Sequence, residues 1–545
     1  MTTFTLTHTD VLPGSGHHKA LDWLKSGPKR LYIAGQWVDA RSGKTFDCID
    51  PSTEQVLTSV AEADSADVDA AVVAARRAFE SSSWSGISPH ARANFLLRIA
   101  DAVDQNTEEL AVIEALDMGA PLATCRGRVS QVAQLFRYYA GWPTKIQGTT
   151  NPMDACRFQY MLREPMGVCA LINAWNVPIV MAGNKIAPAL ACGNTAILKP
   201  AEQAPLSTLR LAELINEVGL PPGVLNVIPG YGATAGAAMA AHPDIDKIAF
   251  TGSTGVGRRI VQASSGNMKK VTLELGGKSP NIIFADSDLE AAVERGVRHC
   301  FNNSGQSCNA PTRMLVEASV YERVVEIAAK VAASVTLGDP MQPGPHLGPV
   351  VSKVQFDKIQ HLIQVGIDEG ARVVAGGVGK PAGFERGYYV KPTIFADVTN
   401  QMTIAREEVF GPVLCLIPFA DKVALCQQID AAARLQPALH FDPRILGPAA
   451  QVFRFRRRGA DQERAQGRLG DGPQRHRRVR DDCAVPPAQA EREGVMQVLR
   501  DAGAQVLANS CGACAGYGAT FEDNATVISS TARNFKGRMG PTSVQ

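Results

Sequence analysis

Residues 31–60 (LYIAGQWVDARSGKTFDCIDPSTEQVLTSV) alternate apolar and polar positions, with turn residues at Gly35-Gln36 and Ser42-Gly43. A period of two broken by turns predicts short antiparallel strands. From 65 to 142 the period changes. In SADVDAAVVAARRAFES apolar residues recur at helical spacing behind an Asp-containing first turn. ARANFLLRIADAVDQNTEELAVIEALDMG predicts two further amphipathic helices, with Gly119 as a stop. From 166 onward short apolar runs alternate with helical segments: GVCALINAW, TAILKP, GVLNVIPG, KIAFTG and VTLELGG are strands, and LSTLRLAELINEVGL is a helix between two of them. Near-continuous apolar strands alternating with helices imply a parallel sheet covered on both faces. Ligands of such sheets bind beyond the carboxyl ends of the strands, so polar residues there are the first candidates for chemistry.

Over 285–420 a second set repeats the pattern (LEAAVERGVRHCFNNSG, RMLVEASVYERVVEIAAKVAASV, KVQFDKIQHLIQVGIDEG) and predicts a second α/β domain. Near Asp421 the periodicity fades. Residues 421–485 hold 12 Arg and one Lys, clustered in FRFRRRG and QRHRRVR. Three readings stand: a solvated basic linker, a nucleic-acid patch, or out-of-frame translation of a GC-rich gene. No aromatic interleaving or known module supports the second.

Composition narrows the class. At 545 residues the chain has room for three or four domains of about 150 residues each. A 45% hydrophobic and 20% charged composition with mean hydropathy −0.05 is that of a soluble globular protein. The net charge of +2 gives no reason to expect nucleic acid or an anionic membrane as partner. No apolar run approaches the ~18 residues of a transmembrane helix. The polar stretch Met1 to Arg30 lacks a hydrophobic signal core. A cytoplasmic location follows as the expectation, with the twelve scattered cysteines mostly reduced.

Four segments carry candidate chemistry: Asn173-Ala-Trp-Asn176 and Lys199-Pro-Ala-Glu202 at strand ends, Phe250-Thr-Gly-Ser-Thr-Gly-Val-Gly257 opening a helix, and Leu273-Glu-Leu-Gly-Gly277 with Asn303-Ser-Gly-Gln-Ser-Cys308. Backbone N–H groups at a glycine turn into a helix suit a pyrophosphate. The turn lacks the usual GxGxxG order, and tight strand–helix packing explains it equally. Cys308 lies in a polar loop rather than an apolar stripe. By itself a cysteine is more often a small buried hydrophobe than a nucleophile. Glu274, at a buried strand end before two glycines, is either satisfied there or functional.

Together these residues resemble the aldehyde dehydrogenase superfamily over about residues 30–420. The glutamate signature reads LELGGKSP (273–280), the cysteine signature FNNSGQSCNAPTR (301–313), and a later motif EEVFGPV (407–413). The 34 residues from Glu274 to Cys308 match the family's interval. The resemblance implies an α/β fold with a Rossmann-type NAD-binding domain (31–143 and 165–272). It further implies an oligomerisation hairpin (144–164) and a second α/β catalytic domain (273–420), incomplete at its C-terminal end. A homodimer or homotetramer is implied. The family pattern stops after Ala420, leaving the basic stretch 421–486 unassigned.

The resemblance also assigns roles. Cys308 attacks the aldehyde carbonyl. The Asn176 side-chain amide and the Cys308 backbone N–H hold the resulting oxyanion. Glu274 activates water to hydrolyse a thioester, so the product is a free acid. Lys185, one helical turn past Asn176, serves proton transfer or structure. For NAD, favoured over NADP, Lys199 and Glu202 hold the adenosine ribose. The turn Gly252–Gly257 with Ser253 contacts the pyrophosphate. Glu408 holds the nicotinamide ribose, with Phe410 packing nearby. Val177, Val180, Met181 and Asn184 line an open, mostly apolar substrate tunnel.

Residues 487–545 resemble the end of the aconitase and isopropylmalate dehydratase family. A helix is predicted over Glu491–Ala502. In that context Cys511 and Cys514 are two of three thiolates for an iron–sulfur cluster, and Arg533 and Arg538 are contacts for a substrate carboxylate. No motif for the third thiolate is recognisable upstream. Otherwise no metal is expected. Alternative functions are an inactive fusion or frameshift product that retains nucleotide binding, and an iron–sulfur hydro-lyase.

Overall fold

The computed structural model describes residues 15–152, 158–421, 424, 425 and 428, and the backbone alone of 477–480, 504–507 and 526–528. The chain divides into two compact units. Of the described residues, the first comprises those up to Leu275 with Val335–Ile359 and Gly379–Val390; the second comprises Gly276–Ser334, Gln360–Val378 and those from Lys391 on.

The first unit is built on a seven-stranded sheet ordered Lys270–Glu274, Lys247–Thr251, Val168–Ile172, Thr195–Lys199, Leu225–Val227, Leu31–Ile33, Gln36–Val38. The first five strands run parallel; the last two join antiparallel, as the alternation at 31–38 predicts. Val168–Ile172 and Thr195–Lys199 are buried at every position. Their alternate side chains feed two cores. Cys169 and Leu171 join the helices Pro89–Gln105, Leu122–Ala140 and Pro178–Ala191, while Val168, Ala170 and Ile172 join Ser65–Glu80 and Thr254–Ala263. After Val168–Ile172 the chain builds outward on one side, then returns to its other side with Lys247–Thr251. Strand order therefore reverses beside Val168–Ile172, and that switch point is where such sheets bind ligands.

Local chemistry explains the helix ends. Asp64 and Asp67 form a capping box at the start of Ser65–Glu80. Gly119, at φ +84°, ends Thr107–Met118. That helix departs from the amphipathic expectation, because every residue from Glu109 to Met118 is buried. Its carboxylates serve other helices. Glu114 Oε2 accepts from Ile179 N (3.2 Å) and Ser207 Oγ (2.6 Å), and Asp117 Oδ2 accepts from Leu206 N (2.7 Å). Pro178–Ala191 and Leu206–Glu217 have no cap from their own N-cap side chains. Burial pushes the pKa of both carboxyls up, opposed at Glu114 by Arg128 and at Asp117 by the Leu206 N–H.

One boundary differs from expectation. Residues 335–359 and 379–390, assigned by sequence to the catalytic domain, pack in the first unit. Leu122 N–H donates to Pro340 O and Tyr388 N–H to Pro51 O, each at 2.9 Å. Pro349 lies so close to Gly119 that a Cβ there would sit 2.8 Å from its Cγ. Within the expected hairpin, Thr149–Asn151 pairs antiparallel with Gln159–Met161 and exposes Phe158, Tyr160, Met161 and Leu162.

The second unit holds a five-stranded sheet ordered Pro280–Ile283, Arg313–Glu317, Val413–Phe419, Thr393–Ala396, Arg372–Ala375, parallel except for the last pair. Further along, Arg477–Arg480 pairs parallel with Ala504–Leu507 and Thr526–Ile528. The helix expected at Glu491–Ala502 lies outside the described residues. Among the described residues no helix is long and apolar enough to cross a membrane.

Candidate active site

In the first unit the candidates lie at the carboxyl ends of adjacent parallel strands. Asn176 follows Val168–Ile172, Lys199 ends its strand, Ser253 follows Lys247–Thr251, and Glu274 ends the edge strand. Register places Ile172 level with Lys199 and Thr251 level with Glu274. Parallel pairing thus brings residues from four separate chain segments to one rim.

Asn176 is 4% exposed and sits just before the helix Pro178–Ala191. Lys185 is the eighth residue of that helix, so it lies two turns beyond Asn176 rather than one. Its Nζ donates to Thr251 Oγ1 at 2.7 Å. Burial pushes its pKa down to about 8, and the Glu274 carboxylate opposes that shift. A lysine so placed loses and regains a proton near neutral pH. Of the side chains proposed to line a tunnel, Val180 is buried, Val177 and Met181 are half-buried, and Asn184 is exposed.

Lys199, 2% exposed, pairs with the more open Glu202 at 3.2 Å and donates to Pro200 O at 2.9 Å. Burial lowers its pKa, and Glu202 opposes this. Gly236 packs beneath the pair: a Cβ there would lie 3.6 Å from Lys199 Cδ. Ser253 caps the helix Thr254–Ala263 by accepting from Val256 N at 3.3 Å. The first N–H groups of a helix have no partner within it, so Thr254 and Gly255 present donors suited to an anion. Gly252 N–H donates to Glu274 O at 3.0 Å, tying this turn to the Glu274 strand. Gly257 differs from expectation. Its N–H is bonded to Ser253 O, and a Cβ there would meet Leu275 Cδ2 at 2.8 Å. Its role is close helix–strand packing, not donation to a pyrophosphate.

The second unit carries Cys308, Glu408 and Phe410. All seven described cysteines are free thiols; five are buried, Cys192 is exposed and Cys308 is half-buried. Burial holds the pKa of Cys300 and Cys415 up, so those thiols are protonated and inert. Cys192 and Cys308 are thus the described thiols open to solvent, and of the two Cys308 lies in the polar signature loop 301–313. The helix Leu289–Phe301 delivers it through Asn303, Ser304 and Gly305, three consecutive left-handed residues at φ 55°, 55° and 72°. Asn303 Nδ2 donates to Gln306 O (3.1 Å), and Gln306 Nε2 donates to Asn303 O (3.2 Å). A Cβ on Gly305 would lie 2.0 Å from the Gly411 carbonyl, so only glycine fits. Nothing in the residue pattern signals the left-handed Asn303 and Ser304.

Glu408 Oε1 accepts from Gly277 N at 3.2 Å, and Phe410 is held at φ +57°. Sequence reasoning missed Thr251 as the partner of Lys185 and Gly277 as that of Glu408, and the buried Lys278 beside Gly277. Lys278 lies inside LELGGKSP, where the motif itself was the available signal. Cys511 and Cys514 lie outside the described residues. Among those described, no group of three or more His, Cys, Asp or Glu is placed to hold a metal.

A doubly wound parallel sheet with an anion-suited helix start beside its switch point is a frame that suits a dinucleotide. The chain belongs to the aldehyde dehydrogenase family, whose model matches residues 37–432. Human retinal dehydrogenase 2 is 47% identical over 393 residues, 72% of this chain and 75% of that protein. An aldehyde dehydrogenase of Davidiella tassiana is 47% identical over 396 residues, 72% and 79% of the two chains. The NAD+ complex of a Bacillus cereus aldehyde dehydrogenase superposes with TM-score 0.73 at 44% identity, covering 77% of this chain and 84% of that one. The protein is thus an aldehyde dehydrogenase by family. Residues 484–545 match the aconitase family (aconitate hydratase).

Proposed function

We propose that this chain oxidises an aldehyde to its carboxylic acid through a thiohemiacetal and then a thioester on Cys308. The half-buried Cys308, set in its loop by the left-handed turn Asn303–Gly305, carries this reading. The thiolate adds to the aldehyde carbonyl. The Asn176 amide and the Cys308 backbone N–H stabilise the oxyanion. Bound NAD supplies the hydride acceptor. Glu274 then takes a proton from water, which attacks the thioester and releases the acid and the thiol. Lys185, hydrogen-bonded to Thr251 and facing the Glu274 charge, carries a proton or fixes the carboxylate. Lys199 and Glu202 hold the adenosine ribose, the N–H groups after Ser253 hold the pyrophosphate, and Glu408 with Phe410 holds the nicotinamide half. The first unit acts as the NAD-binding domain and the second as the catalytic domain. The pair of strands Thr149–Asn151 and Gln159–Met161, with exposed Phe158, Tyr160, Met161 and Leu162 beside or within it, bridges subunits of a dimer or tetramer.

NADH formation followed at 340 nm separates the steps. Cys308→Ala abolishes turnover and the burst. Glu274→Gln retains a burst of one NADH per site and then stalls as acyl-enzyme. Steady turnover by Cys308→Ala would overturn the reading.

A further inference from the structure

Lys278 is 3% exposed, deep in the second unit. Its Nζ donates to Ile404 O at 2.8 Å. Ile404 belongs to the short helix Thr403–Arg406, whose closing carbonyls have no acceptor role within it. Four residues on from Ile404 is Glu408. The residues beside Lys278 grip that carboxylate directly. Gly277 N–H donates to Oε1 at 3.2 Å, and a Cβ on Gly276 would lie 1.9 Å from Oε2. On its other side, the Lys278 carbonyl accepts from Arg313 Nε at 3.0 Å, and Arg313 Nη1 reaches Asn400 Oδ1 at 3.5 Å. Residues 276–278 and Arg313 thus hold the stretch 400–408 at three points.

A buried ammonium bonded to a backbone carbonyl is a poor stabilising device. Desolvation works against its charge, as the lowered pKa of Lys278 reflects, and an apolar side chain of similar length would fill the same space without that cost. Cys415 Sγ also donates to Ile404 O, at 3.5 Å, so that oxygen keeps a partner without the lysine. Charge at this position is better explained by what it fixes.

We propose that Lys278 is a positioning residue: by anchoring Ile404 it fixes the segment that carries Glu408 and Phe410, and so sets the Glu408 carboxylate for the nicotinamide ribose. The proposal rests on the role given to Glu408 above. A structural role and a positioning role move stability and cofactor recognition in different directions. Lys278→Met tests this together with Glu408→Gln. The full chain is titrated with NADH and with ADP, which lacks both the nicotinamide and its ribose, and thermal unfolding is recorded.

The expected result is a fall of about tenfold in the affinity of NADH relative to ADP in both variants, the size of one lost hydrogen bond to a charged group. ADP affinity stays within twofold of the parent, and the melting temperature of Lys278→Met is unchanged or higher. The double variant is no worse than Glu408→Gln alone. If Glu408→Gln lowers the ratio and Lys278→Met does not, the positioning role is overturned and the Glu408 reading stands. If Glu408→Gln leaves the ratio intact, that reading fails and the proposal with it. A lower melting temperature in Lys278→Met with weakened ADP binding means a general structural role and also overturns it.

Discussion

Lys199 and Glu202 form an ion pair in which the cation is sealed from solvent and the carboxylate, at 24% exposure, faces outward. The pair is asymmetric by design of the strand end: the lysine is the last residue of a buried strand, and the glutamate lies in the turn that follows. In the proposed ribose site the carboxylate is the more open partner, placed to meet a hydroxyl or to repel a 2′-phosphate.

Glu202→Gln therefore relaxes cofactor choice. The ratio of kcat/KM for NAD to that for NADP is expected to fall by about tenfold, roughly one charge-assisted hydrogen bond. The substitution also removes the group that holds the Lys199 pKa up against burial. Cofactor binding then weakens at a lower pH than in the parent chain. An unchanged NAD/NADP ratio would remove Glu202 from the ribose site.

Lys185 gives a pH-dependent signature in stability. Its pKa is about 8 in the folded chain against an ordinary 10.5. Below pH 8 it is charged in both states, and the folded chain bears the full burial penalty. Between about pH 8 and 10.5 the folded chain has released a proton that the unfolded chain retains, so this group adds stability as pH rises. Lys185→Met is expected to be more stable than the parent at pH 7, by on the order of 1–3 kcal/mol. The difference narrows toward pH 10. Urea unfolding at successive pH values checks it; a gap that does not vary with pH would contradict it.

Asn176→Ala removes the proposed oxyanion donor. A loss of about 100- to 1,000-fold in kcat is expected, with NADH affinity unchanged. A loss confined to KM would mean that Asn176 holds substrate in the ground state only.

Glu114→Ala tests the fold rather than the chemistry. It strips Ile179 N and Ser207 Oγ of their acceptor and leaves Arg128, 3.7 Å away, without its carboxylate. Breaking a buried pair from one side costs about 3–5 kcal/mol. The denaturation midpoint should fall accordingly, whereas a shift within error would show that the site relaxes around the loss.

The elements of the first unit were legible because each leaves a periodic trace. The apolar run at 168–172, the helical spacing at 65–80 and the turn at Gly119 all read directly. The rim residues were legible because parallel strands put their carboxyl ends together, whatever the residues are. Other features leave no such trace. Segments 335–359 and 379–390 have ordinary patterns, and which unit they join depends on hydrogen bonds to Leu122 and Pro51, far away in the chain. Glu114 and Asp117 looked like the polar face of a surface helix, because a carboxylate capping a distant helix is indistinguishable in sequence from one facing water. Gly257 was assigned to the pyrophosphate because a glycine near a helix start fits both jobs; only the 2.8 Å approach to Leu275 separates them.

The enclosure of Thr107–Met118 has a consequence for how the chain comes apart. The caps of two neighbouring helices end on its carboxylates, and no face of it from Glu109 onward meets water. Its central amides cannot reach solvent by fraying or by a small excursion of one neighbour. They should exchange hydrogen for deuterium only when the whole first unit opens, later than the amides of the exposed strands Thr149–Asn151 and Gln159–Met161. Protection at this helix is thus a gauge of the unit's total stability, readable without any substrate.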